Sequence, residues 1–199
     1  DFQRYVDRKK NPQGPQGKRE EYSDYAFAGD LRIQRRLDKL TPVRVVAESS
    51  VRFWKSFQKN ELLGKSVQVT KRQYPEIFQI AVDCANTLDI PMPSVYLSNS
   101  PLYNAGTFGT SEEAYVIINS ALATAFSPGA LQFVIGHELG HLDNNHVVYA
   151  TSVEFMTRGI GAYVQWAVAP ASLALRAWSR RAEITCDRGV ARRLAERDP

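Results

Sequence analysis

At 199 residues and 22.4 kDa the chain is long enough for one sizeable domain with appendages, and its 44% hydrophobic and 23% charged residues exclude wholesale disorder. The formal charge of +4 is carried by Lys and Arg interleaved with acids, as in RKKNPQGPQGKREEY. No dense basic tract with interleaved aromatics exists, so nucleic acid is excluded as the partner.

The two cysteines, Cys84 and Cys186, are far apart and form no CxxC pair, and both read as reduced thiols. Residues 1–20 lack the apolar core of a signal peptide, but the first residue is Asp rather than Met, which leaves a leader or anchor ahead of this numbering open. Location stays open between cytoplasmic and membrane-associated.

In chain order, residues 9–19 (KKNPQGPQGKR) read as a flexible polar stretch. Residues 28–60 carry Leu31, Ile33, Leu37 and Leu40, then Val51, Trp54 and Phe57, at helical spacing. This predicts two helices broken at Pro42. A helix is expected over 75–88, opened by Pro75 and followed by Pro91. SVYLSN (94–99) and EAYVIINS (113–120) read as strands, with the Gly-punctuated YNAGTFGT (103–110) extended between them. Ser127 as N-cap and Pro128 at the first helical position open a mostly buried helix over 128–145. A last helix is expected over 172–197.

All three histidines lie in FVIGHELGHLDNNH, residues 133–146. His137 and His141 are four apart on a helix, so both imidazoles can face one ion. Glu138 lies about 100° round from His137. It is placed to take a proton from a water on that ion rather than to ligate. Gly140 inside the motif disfavours the helix by about 1 kcal/mol relative to Ala, which argues for a packing or functional reason. His146 falls about 140° from His141 if the helix continues, and reads as a helix-end residue or a support to the ligands rather than a ligand.

Two histidines leave a catalytic zinc one protein ligand short. Asn144 and Val147 rule out the extension with a third histidine, so the third ligand is a carboxylate or cysteine farther on, and the downstream glutamates are Glu154, Glu183 and Glu196. Glu183 stands out because Asp187 follows one turn later on the same face, where it can hold an imidazole N–H from behind. Cys186 reads as a core or edge thiol.

FVIGHELGHLDNNH together with SRRAEITCDRGV resembles the H-E-x-x-H … E-x-x-x-D signature of metallopeptidase family forty-eight. That gluzincin family includes the CAAX prenyl proteases, HtpX and the mitochondrial protease Oma. IPMPSVYLSNSPLYNAGTFG and YVIINSAL resemble its upstream strands, so the likeness covers residues 60–195. It implies an α+β, mainly helical, zincin-like domain with a small sheet beside the H-E-x-x-H helix. It implies one Zn²⁺ per chain on His137, His141 and Glu183, Glu138 as general base, and Asp187 supporting the ligands. It also implies a peptide or protein substrate laid along the strand at Asn104 and Ala105. NAGTFG lacks the Phe that commonly follows Asn-Ala in the family, which puts the substrate strand in question. Residues before 60 match nothing recognisable.

The expected organisation is therefore an N-terminal helical extension over 1–60 and a metallopeptidase domain over 61–199. The extension either covers the cleft or packs behind it as scaffold. GIGAYVQWAVAPASLAL (159–175) has 17 uncharged residues, at the lower limit for a bilayer span, and contains Gln165 and Pro170. A loop or short helical hairpin over the site is the favoured reading, and membrane association is not. The function expected is a zinc metalloendopeptidase using Glu-assisted attack of water. The alternatives are a non-proteolytic zinc-binding or chaperone-like relative and a latent protease covered by its N-terminal segment. The sequence does not identify the oxyanion partner, for which Arg180 and Arg181 are the candidates.

Overall fold

The structure, a computed structural model, describes residues 25–37, 64–109, 114–147, 149 and 162–194. Its elements run α1 (Ala28–Leu37), β1 (Ser66–Gln68), α2 (Pro75–Thr87), β2 (Ser94–Ser98), β3 (Ala105–Gly109), β4 (Ala114–Asn119), α3 (Ser120–Ala125), α4 (Pro128–Asp143) and α5 (Ala162–Gly189). A π-helical turn, Val190–Leu194, follows. The α+β, mainly helical fold with a small sheet is the one expected.

The sheet has the order β1-β2-β4-β3. β4 runs parallel to β2 and antiparallel to β3, which leaves β3 at an edge of the sheet among the described residues. β4 is buried along Tyr115, Val116, Ile117 and Ile118, as a central strand covered on both faces should be. Alternation divides these residues. Val116 and Ile118 join Ile77, Ala81, Cys84 and Ala85 of α2 and Leu131, Ile135 and Leu139 of α4 in one apolar core. Tyr115, on the other face, packs its ring 5.9 Å from that of Tyr96.

Helix α4 starts as its sequence predicts, with Ser127 Oγ accepting the Ala130 N–H at 3.3 Å. Its buried face meets α5 so closely that a Cβ on Gly140 would lie 3.3 Å from Cys186 Cα, Cβ and Sγ. The expected packing reason for Gly140 is thus backbone approach between these two helices. Gly140→Val should destabilise the fold by about 2–3 kcal/mol in denaturant unfolding, because the overpacked atoms include backbone.

Three elements differ from expectation. β1 was not foreseen: it is three residues long and mostly exposed, so it offers no apolar alternation. The six-residue α3 was also missed. Residues 162–175 form neither loop nor hairpin but the first half of α5, which runs without a break to Gly189. Pro170 costs one backbone hydrogen bond within an otherwise Ala- and Leu-rich segment and does not end the helix. None of the described helices is long and apolar enough to cross a membrane.

α1 packs against α5 and the end of α4. Its buried face is polar rather than the expected line of Leu31 and Ile33. Asp30 and Gln34, one turn apart, are 0% and 3% exposed, whereas Leu31 and Ile33 are only half-buried. Tyr25 just before it is fully buried, with its ring so close to Gly189 that a Cβ there would meet it at 2.6 Å. Tyr25 Oη donates to Asp143 at 2.7 Å, and Gln34 Nε2 donates to the Asn144 carbonyl at 3.3 Å. These bonds occupy polar groups that the end of α4 would otherwise bury unmet. The second helix foreseen beyond Pro42, the 9–19 stretch, Glu154 and Glu196 lie outside the described residues.

Candidate metal centre

His137 and His141 project from one face of α4, their ring centroids 5.1 Å apart. Across from them α5 presents Glu183. Its carboxylate lies 2.9 Å from His137 Nε2 and 3.7 Å from His141 Nε2. One turn on, Asp187 Oδ1 meets the other nitrogen of His137, Nδ1, at 2.9 Å. The close α4–α5 packing at Gly140 sets this pairing, since it brings the two helices side by side at the motif. The hydrogen bond from His137, and then the His141 imidazole 3.7 Å away, hold the Glu183 carboxyl far below the ordinary carboxylate range. Burial pulls the His137 imidazole toward neutrality, but Glu183, Glu138 and Asp187 outweigh it and raise its pKa. Both histidines thus direct Nε2 at a carboxylate while Nδ1 is held from behind.

Glu138 points to the sheet. Thr107 Oγ1 lies 2.7 Å from Glu138 Oε2 and 3.0 Å from the Glu138 carbonyl. Thr107 faces Val116 across the β3–β4 ladder, on the face turned to the helical core, so its hydroxyl meets α4. Sequence reasoning missed Thr107. The signal available was a polar residue two positions from Ala105, on the same side of the strand.

Asn104 and Ala105 stand at the start of the edge strand. The Asn104 carbonyl accepts from the Asn119 N–H at 3.0 Å and Ala105 pairs with Ile118, so the strand is firmly laddered to β4 on that side. Arg181 Nη1 is turned back to the Ala177 carbonyl at 2.8 Å, and Arg180 is exposed.

His146 departs from the geometry expected of a continuing helix. α4 ends at Asp143, Asn145 adopts φ 58°, and the His146 N–H returns to the His141 carbonyl at 2.9 Å. This left-handed turn swings His146 back against His141, with their Nδ1 atoms 3.2 Å apart. His146 is wholly buried and stacks edge-on against Trp178, the centroids 5.3 Å apart.

Two donor sets share the two histidines. Besides Glu183, the Cys186 sulfur falls with donor atoms of His137 and His141 in a group within 4.8 Å of one another. Burial, reinforced by Glu183, Glu138 and other acids, raises the Cys186 thiol well above its ordinary value. Glu183 faces the Nε2 atoms of both histidines, whereas the Cys186 sulfur faces His146 behind His141, so Glu183 is the better third donor. Cys84 is equally buried, pushed up to about 12 by burial and Asp83, and both cysteines are free thiols.

Two imidazoles and one carboxylate form a donor set suited to Zn²⁺, and three protein ligands leave a position for water. Comparison with known proteins agrees with this chemistry. The sequence profile of Peptidase family M48 matches residues 71–199. The plastoglobule-localized metallopeptidase 48, chloroplastic, of Arabidopsis thaliana is 34% identical over 143 residues, covering 70% of this chain and 41% of that protein. A protease HtpX homolog of Streptococcus uberis is 37% identical over 90 residues, covering 45% of this chain and 30% of its own. Another, from Streptococcus equi subsp. zooepidemicus, is 30% identical over 111 residues, covering 52% and 37%. The chain therefore spans well under half the length of these relatives. No solved structure matches it significantly. With the profile spanning the H-E-x-x-H helix and the helix that carries Glu183, the chain belongs to peptidase family M48.

Proposed function

We propose that the chain is a zinc-dependent endopeptidase in which His137, His141 and Glu183 hold one Zn²⁺, Glu138 is the general base and Asp187 orients His137. The observation that carries this reading is the convergence of both histidine Nε2 atoms on the Glu183 carboxylate, with Glu138 beside them. A bound Zn²⁺ supplies Lewis acidity, which makes water nucleophilic near neutral pH and polarises a peptide carbonyl. Glu138 takes the proton of the attacking water and passes it to the leaving amine nitrogen. Thr107, donating to one oxygen of that carboxylate, restrains its rotation and leaves the other oxygen for the proton.

The substrate peptide adds to the free side of β3 near Asn104 and Ala105, through main-chain hydrogen bonds. Edge position supports this, because the β4 side of the strand is already paired. The test is metal content measured together with peptide hydrolysis on the same preparation. About one zinc per chain with hydrolysis that a chelator abolishes is expected. A zinc-free chain that cleaves peptides, or a zinc-loaded chain that cleaves none, defeats the reading.

Thr107→Val conserves shape and removes the hydroxyl. The expected result is a fall in kcat of about tenfold, the equivalent of one lost hydrogen bond to a charged group, with KM little changed. Steady-state kinetics on a small peptide check it.

A further inference from the structure

Asp30 and His146 have no part in the chemistry above, yet both are wholly buried beside it. The Asp30 carboxylate receives Thr185 Oγ1 at 2.6 Å and Trp178 Nε1 at 2.8 Å. It also lies 3.0 Å from His146 Nε2, a close contact without full hydrogen-bond alignment. On its far side, His146 Nδ1 faces His141 Nδ1 at 3.2 Å and the Cys186 sulfur at 3.8 Å. A continuous line of contacts thus runs from helix α1, through a loop residue, to the back of His141.

We propose that Asp30 and His146 are positioning residues that set the tautomer and ring orientation of His141, so that its Nε2 lone pair is free for the metal. The proton directions around the line are mutually consistent. Thr185 and Trp178 can only donate to the fully buried carboxylate in these contacts, so Asp30 acts as acceptor. His146 then keeps its proton on Nε2, facing Asp30, and its Nδ1 is left as an acceptor. That acceptor is met by two donors: the Cys186 thiol and the Nδ1–H of His141. With its proton on Nδ1, His141 has a lone pair on Nε2, the atom turned to Glu183.

Burial pushes the Asp30 carboxyl up, but His146, Thr185 and Trp178 together outweigh it and hold it below its ordinary value. Asp187 does for His137 what His146 does for His141. One ligand is held by an exposed acid on α5, the other by a buried relay anchored in α1. Residues 25–37 are thereby tied to the metal centre rather than merely packed behind it.

The proposal rests on His141 being a ligand, so zinc uptake by the unaltered chain is measured in the same series. With only three histidines in the chain, the imidazole nitrogen resonances of the zinc-free protein are assignable by NMR. The expected result is His141 protonated on Nδ1 and His146 on Nε2; the opposite tautomer at either residue overturns the relay. His146→Phe keeps a ring against Trp178 but cannot accept. Its zinc affinity, by chelator competition, should fall about 10- to 100-fold, the range seen when a partner behind a metal ligand is lost. Tyr25→Phe removes a buried donor from the same docking segment, the one that meets Asp143, and leaves Asp30 and His146 as they are. It should lower thermal stability while zinc affinity stays close to that of the unaltered chain. A His146→Phe protein that binds zinc as tightly as the unaltered chain sinks the proposal, as does equal weakening by Tyr25→Phe. If the unaltered chain takes up no zinc, the reading of the site fails, and the nitrogen spectra still decide the tautomers. The same spectra decide the relay if His146→Phe does not fold.

Discussion

Glu138→Gln should leave a folded, zinc-loaded chain whose peptide hydrolysis is reduced by about 10²- to 10⁴-fold, the range attributed to a positioned general base. The substitution changes few contacts. The amide oxygen of Gln can still accept from the Thr107 hydroxyl that now lies 2.7 Å from the carboxylate, sharing that single proton with the carbonyl of residue 138 as the carboxylate does. The amide cannot take a proton from water near neutral pH. Loss of rate with metal content and melting temperature unchanged would isolate the proton transfer from binding. A zinc-loaded Glu138→Gln protein that turns over normally would falsify the base assignment. Parallel measurement of Thr107→Val separates the two contributions: the base removes most of the rate, and its restraint a smaller part.

How much of this was legible in the sequence depends on how local each signal is. The H-E-x-x-H helix announces itself within twenty residues, because cap, proline, apolar face and paired histidines all fall on one element. The relation between Glu183 and Asp187 is also local, one turn of α5, and the structure brings both acids to His137. Thr107 could not be paired with Glu138 in advance, since the contact spans 31 residues and depends on which face of β3 turns to α4. Asp30 was harder still. Its partners Trp178 and Thr185 are 148 and 155 residues away. Its own helix also has Leu31 and Ile33 to suggest a different buried face. A hydrophobic periodicity finds apolar faces, so a helix that docks through Asp30 and Gln34 is misassigned by that rule. His146 was placed on the wrong side of α4 for a related reason. The angle from His141 holds only while the helix continues, and Asn145 in a left-handed conformation ends it.

The second large effect is expected at the third ligand, where the structure offers a choice. Glu183→Ala should weaken zinc binding by more than about 100-fold, beyond what loss of a partner behind a ligand produces, and should abolish hydrolysis. Cys186→Ala should leave zinc stoichiometric, although its sulfur lies in the same 4.8 Å group as the histidine donors. The physical distinction is charge and direction. The Glu183 carboxyl is held far below the ordinary carboxylate range by its histidine partners, stands partly in solvent and faces Nε2 of both histidines. Cys186 is buried among acids that oppose a thiolate, and its sulfur faces His146 behind His141. Cys186→Ala removes a buried sulfur and its packing against Gly140, so a modest fall in thermal stability is expected without loss of metal. The two variants therefore move different observables. If instead Cys186→Ala loses its zinc and Glu183→Ala retains it, the metal lies on the buried side of the histidines. The lone pairs of His141 would then be used differently, and the roles assigned here to Glu183 and His146 would exchange.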